Sequence, residues 1–348
     1  MVPVCEEMDM NSHASGVQRL LSALSGILRD AASTALDLYK IMIPIVIVVK
    51  LLQELEFIRY LALPLKPIMG LVGLPDELGL VWATAMVNNI YSALIVLSSL
   101  IKDTPVTTAQ ATVLGAMILV AHGLPVELRI ARAAGPRLAF QGALRVFGAL
   151  LFGWILHEIF QFFDVLQGPA NILLDGNREA ANAGWIAWAL GEARNLAAIF
   201  VIIMGLVALV RLLKAAKITD VMNWLLRPLL RLMGVGPRAS TITVIGLTLG
   251  LAYGGGLIIR EAKTGGVGRR DVFYSLSLMG LCHSLVEDTL LVVMGGADFF
   301  WVFWGRLVFA LAGVSVLTAV SRRLPEAFCD RWLWGPPRAR AWTAGEPA

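Results

Sequence analysis

Charge is scarce in this chain: Asp, Glu, Lys and Arg make up 16% of its 348 residues, where an average soluble domain carries about 25%. Hydrophobic residues make up 57%, and the mean hydropathy of +0.74 is spread over the whole length. That pattern excludes a disordered chain and an ordinary soluble domain. Cysteine is scarce as well. Cys5, Cys282 and Cys329 are too few and too scattered for a disulfide framework. Glu6, Glu7 and Asp9 precede the first base, Arg19, so no cleavable signal peptide is expected. The sequence has no G-x-x-x-x-G-K-[ST] loop, no G-x-S-x-G elbow and no paired C-x-x-C pattern. His157-Glu158 opens like a zinc-protease helix, but Gln161 stands where H-E-x-x-H needs its second histidine. These absences argue against an enzyme and against a pump that burns nucleotide unaided, and no cofactor is expected. The net charge of +4 needs no nucleic acid to explain it.

What is present is apolar sequence in long runs. A helix needs about 20 residues to cross roughly 30 Å of hydrocarbon. Eight segments approach that length: 31–53, 78–101, 107–124, 139–163, 186–212, 240–260, 271–294 and 298–320. The expected fold is an all-α polytopic membrane protein of about eight hydrophobic segments, some re-entrant or broken. Val17, Leu20, Leu21, Leu24, Ile27 and Leu28 repeat at helical spacing, so residues 14–29 are predicted to form an amphipathic helix on the membrane surface. Beyond Pro325 the chain turns polar and is expected to be a mobile end. Basic clusters follow the first, third and fifth segments. The positive-inside rule places these in the cytoplasm, although Lys263, Arg269 and Arg270 fit that scheme poorly.

The second half echoes the first at a spacing of about 161 to 164 residues. Met69-Gly70 is matched to Met233-Gly234, Lys102 to Lys263, His122 to His283, Val126-Glu127 to Val286-Glu287, Gly135 to Gly295 and Arg145 to Arg306. The predicted organisation is an N-terminal segment 1–30, a first repeat 31–165, a polar linker 166–185, a second repeat 186–322 and a polar tail 323–348. Two similar bundles that rock around a site near the midplane are a common build for secondary transporters.

Three polar groups interrupt the apolar runs. Asn88 and Asn89, with Tyr91 and Ser92, fall at the centre of the second segment, either as interhelical glue or as ligands facing a cavity. Tyr253-Gly254-Gly255-Gly256 falls at the matching place, read either as a broken helix that bares its backbone or as close helix packing. Cys282-His283-Ser284-Leu285-Val286-Glu287-Asp288 lies mid-segment. On a continuous helix His283 and Glu287 share one face at i, i+4, with Asp288 pointing elsewhere. His122 and Glu127 are separated by Gly123 and Pro125, which predict a turn.

These segments, with the duplicated bundle, make the chain resemble the nucleoside-recognition or Gate domain family of bacterial inner-membrane proteins. That family includes the spore maturation proteins A and B, and its module also appears in ferrous iron transporter B and in concentrative nucleoside transporters. The resemblance covers residues 30–320 and implies a multi-pass inner-membrane permease. The chain lacks the GTPase domain of the iron permease and the extra helices of a full nucleoside symporter. Its expected partners are the lipid bilayer and a small polar solute or ion, with a homo-oligomer or a separate membrane partner left open. The leading expectation is an ion- or proton-coupled solute permease using Asn88, Asn89, Tyr91, Ser92, Tyr253, Gly254, Gly255, Gly256, His283, Glu287 and Asp288. The alternatives are a divalent-metal permease with Cys282, His283, Glu287, His122 and Glu127 as ligands, and a non-transporting scaffold in an envelope or spore-type assembly.

Overall fold

The computed structural model describes residues 63–101, 105–173, 184–215 and 218–334, with scattered positions between 25 and 60. Most of the expected N-terminal amphipathic helix and first apolar segment lies outside the described residues. The described chain is helical, and an isolated bridge between Thr107 and Pro169 is its one β-type pairing. It divides into two compact units. One holds residues 1–45 and 176–216 and contains a 32-residue helix, Gly184–Ala215. The other holds residues 46–175 and 217–348, and carries the polar residues of interest.

In that second unit the helices of the first half are α1 (Lys66–Leu71), α2 (Leu78–Val87), α3 (Ile90–Leu100), α4 (Thr108–Val120), α5 (Leu124–Ala134) and α6 (Leu138–Phe162). Those of the second half are α7 (Ile218–Leu232), α8 (Pro237–Leu249), α9 (Leu251–Thr264), α10 (Arg269–Leu281), α11 (Glu287–Met294), and α12 (Arg306–Ser321) after a π turn at Trp301–Gly305. The halves superimpose in sequence at a single offset, the 161 residues that separate His122 from His283. That offset carries both ends of α4 onto both ends of α10, the start of α3 onto that of α9, and the end of α1 onto that of α7. It also revises the matching expected from sequence. Gly73 pairs with Gly234, both in the left-handed region, as do Gly135 and Gly296. The partner of Glu127 is Asp288, not Glu287. Apolar residues on a helix recur so often that sequence alone tolerates a slip of one to three residues, whereas turn geometry does not.

Helices α4 and α10 form the core. Every residue of α10 from Val272 to Leu281 is buried, and nearly all of α4. The two halves interlock: α5 packs on α9 of the other half, α11 on α3, and α6 on α10. By contrast α6 and α12 leave large apolar side chains such as Phe147 and Val308 exposed, 68% and 64%, as lipid-facing helices do. Among the described residues Thr108–Ala134, Leu138–Phe162 and Trp301–Ser321 are long and apolar enough to cross a membrane.

Trp224 is exposed on amphipathic α7, beside Arg227 and Arg231, in keeping with an interfacial helix. Residues 326–334, expected to belong to a mobile end, are structured instead. A short helix, Glu326–Trp332, is fastened by Arg269 Nη1 to Asp330 Oδ1 at 2.7 Å and by the Arg137 N–H to the Leu333 carbonyl at 2.7 Å. Trp334 is buried edge-on to Phe273.

Candidate functional site

Three of the long segments are interrupted where the sequence places polar residues. α2 ends at Val87 and α3 begins at Ile90, so Asn88 and Asn89 occupy a break rather than the middle of a helix. α4 gives way to α5 through Gly123 at φ +57. α10 ends at Leu281 and α11 begins at Glu287. His283 and Glu287 therefore do not share a helix face, because Ser284 turns the chain at φ +46 between them. This position corresponds to Gly123, and a non-glycine residue held there stores about 1–2 kcal/mol of strain.

The second-half counterpart of the Asn88-Asn89 break lies at Gly250, φ +94, not at the glycine triplet. Helix α9 runs unbroken through Gly254, Gly255 and Gly256. A β-carbon at Gly254 would collide with the backbone of Gly246 and the sulfur of Met279, so this glycine serves the close approach of α8 and α9. The side chain of Tyr253 lies outside the described residues.

Within each half the breaks are tied together. The Gly123 N–H donates to the Ala85 carbonyl at 2.9 Å, and the Leu285 N–H to the Leu247 carbonyl at 2.8 Å. A helix ending inside protein leaves carbonyls without partners, and two buried arginines supply them. Arg145 is 2% exposed and Arg306 0%. Arg145 donates from Nε to the Val120 carbonyl and from Nη2 to the His122 carbonyl, both at 2.9 Å. Arg306 donates from Nε to Leu281 at 3.3 Å and from Nη2 to the carbonyl of His283. In the sequence these arginines stand out only as repeat markers. Their signal as site residues was a guanidinium at the same place in two apolar helices, where burial demands several acceptors.

The arginines hold the turns that carry the histidines. His122 and His283, both buried, meet across the halves with Nε2 atoms 3.1 Å apart and ring centroids 4.9 Å apart. Each Nδ1 faces a carbonyl one turn back, Ile118 at 3.0 Å and Met279 at 2.8 Å. A carbonyl only accepts, so Nδ1 carries the hydrogen and a neutral ring turns its Nε2 lone pair inward. Glu127 Oε1 lies 3.4 Å from His122 Nε2 and 3.3 Å from His283 Nε2. Its other oxygen pairs with Arg145 Nη1. Asp288 Oδ2 lies 3.7 and 3.9 Å from the same nitrogens.

The two halves also differ at their carboxylates. Arg306 Nη1 and Asp288 Oδ2 are both buried without a hydrogen-bond partner, where the matching Arg145 and Glu127 are joined. The structure thus brings His122, Glu127, His283 and Asp288 together. Cys282 is a buried free thiol outside that group.

The asparagines are occupied locally. Asn89 Oδ1 caps α3 by accepting from the Ser92 N–H at 2.9 Å, and Asn88 Nδ2 donates to Ser92 Oγ at 2.8 Å. The Asn88 carbonyl lies beside Gly123. Tyr91 lies on α3, which packs on α11, the helix that begins with Glu287 and Asp288.

In comparison with known proteins, the chain is 27% identical over 320 residues to the uncharacterized membrane protein YvoD of Bacillus subtilis (strain 168), covering 87% of this chain and 93% of that one. This chain is a helical membrane protein. No family model matches it, and no solved structure does.

Proposed function

We propose that this protein is a multi-pass inner-membrane permease of the Gate type, in which two related halves move a small polar solute or ion past the cluster where they meet. The observation that carries the reading is the placement of His122 and His283, one from each half, at facing helix breaks deep in apolar sequence. Broken helices and buried ionisable side chains are costly in a membrane, and both recur at transport sites. A scaffold could stabilise its packing with apolar residues instead. The interlock of α5 with α9 and of α11 with α3 supplies two equivalent contacts that can exchange roles as the halves rock.

The test is two-sided accessibility. Single cysteines replace Ser284 or Asn88 in a chain whose native Cys5, Cys282 and Cys329 are serine. Sealed vesicles of either orientation are then treated with a membrane-impermeant maleimide. A permease exposes these positions to each face in turn, so modification from both sides is expected. Modification from neither side in folded protein refutes the reading and favours a scaffold.

A further inference from the structure

We infer that His122, His283 and Glu127, with Asp288 as a fourth group, form a binding site for one divalent transition-metal ion of the Zn²⁺ class. The inference deepens the permease reading and rests on it for the ion's role as cargo, but not for its binding.

The argument is geometric. A tetrahedral Zn²⁺ site has metal–nitrogen and metal–oxygen distances of about 2.0–2.2 Å, which sets neighbouring ligand atoms roughly 3.3–3.5 Å apart. The three inward atoms, His122 Nε2, His283 Nε2 and Glu127 Oε1, are separated by 3.1, 3.4 and 3.3 Å. They are already spaced as one face of such a tetrahedron. Asp288 Oδ2 stands at 3.7 and 3.9 Å from the two nitrogens, buried and without a hydrogen-bond partner, beside the histidine pair but outside the three-atom group.

The surroundings match. Both Nδ1 atoms are held by backbone carbonyls, the second interaction that orients a metal-binding imidazole and frees its Nε2 lone pair. Two such lone pairs facing each other at 3.1 Å repel unless an electrophile lies between them. A single shared proton answers that one contact. It does not account for a carboxylate oxygen equidistant from both nitrogens, whereas a metal ion accounts for all three separations. Two carboxylates, Glu127 and Asp288, approach the same pair of nitrogens from the two halves. Two imidazoles favour a transition ion over Mg²⁺ or Ca²⁺, which prefer all-oxygen sites.

The experiment uses the full chain in detergent, stripped with chelator and titrated with Zn²⁺ by calorimetry and with Co²⁺ by visible absorption. The expected result is one ion per chain, with the intense d–d bands of tetrahedral Co²⁺. His122→Gln and His283→Gln each weaken binding at least about 100-fold, Asp288→Asn by about 10-fold, and His157→Gln, remote from the cluster, leaves it unchanged. Circular dichroism and gel filtration verify that each variant is folded. No binding by folded wild-type chain, or equal binding by His122→Gln, overturns the inference and leaves the shared proton. The same preparations in liposomes with an encapsulated Zn²⁺ indicator report flux separately. Binding with flux supports both readings, and binding without flux supports the metal centre while refuting the ion as cargo.

Discussion

The two buried arginines provide the most demanding quantitative test. Replacing Arg306 by Met uncaps the Leu281 and His283 carbonyls. Each buried acceptor left unpaired costs about 1–3 kcal/mol, so the two together are expected to cost about 2–6 kcal/mol. Arg145→Met uncaps Val120 and His122 in the same way, and also strands the Glu127 carboxylate that it pairs. Removing one partner of a buried ion pair costs about 3–5 kcal/mol. Arg145→Met is therefore expected to exceed Arg306→Met by about 3 kcal/mol despite their symmetry-related positions. Adding Glu127→Gln to Arg145→Met removes the stranded charge and should recover about 2 kcal/mol, although the same substitution in the wild-type chain destabilises. Unfolding in mixed micelles by titrated SDS, followed by tryptophan fluorescence, reads all four proteins against the parent. Equal losses for the two arginine variants, within about 1 kcal/mol, would refute the reasoning. So would a further loss on adding Glu127→Gln.

Four other substitutions test the backbone account, each read by the same titration. Gly254→Ala should cost several kcal/mol because its methyl meets the backbone of Gly246, whereas Gly256→Ala, with no atom within 4 Å of the new carbon, should be neutral or stabilise by up to about 1 kcal/mol; similar losses at both positions would contradict the packing role. Ser284→Gly should stabilise by about 1 kcal/mol by relieving the φ of +46. A loss would mean that the serine hydroxyl contributes more than the strain costs. Asn89→Ala should cost about 1 kcal/mol through the lost cap on Ser92, and no change would show that the break is held by the Ala85–Gly123 bond alone.

Scarce charge and long apolar runs were enough to read a helical membrane protein, because a chain in lipid must satisfy its backbone internally. The repeat was legible as well, since His122 and His283, and Arg145 and Arg306, are polar landmarks in apolar sequence. Their offset of 161 was visible there, but Glu127 was matched to Glu287 rather than Asp288. The glycine triplet left two readings open, a broken helix or close helix packing, and the structure shows the packing. Three in a row at 254–256 weaken a helix by propensity, yet packing against Gly246 keeps that helix intact, and the break falls at Gly250. The i, i+4 pairing of His283 with Glu287 failed for the converse reason. Nothing local in Cys282-His283-Ser284 forbids a helix, and it ends there because a side chain 25 residues away, Arg306, caps the Leu281 carbonyl.

Composition and periodicity thus determined the solvent of this protein, its helices and its duplication, because these follow from short-range burial and backbone hydrogen bonding. Only the tertiary structure decided which ionisable groups meet. His122 and His283 become neighbours through two helix breaks held by two buried guanidiniums, and contacts between residues 161 apart leave no trace in local spacing.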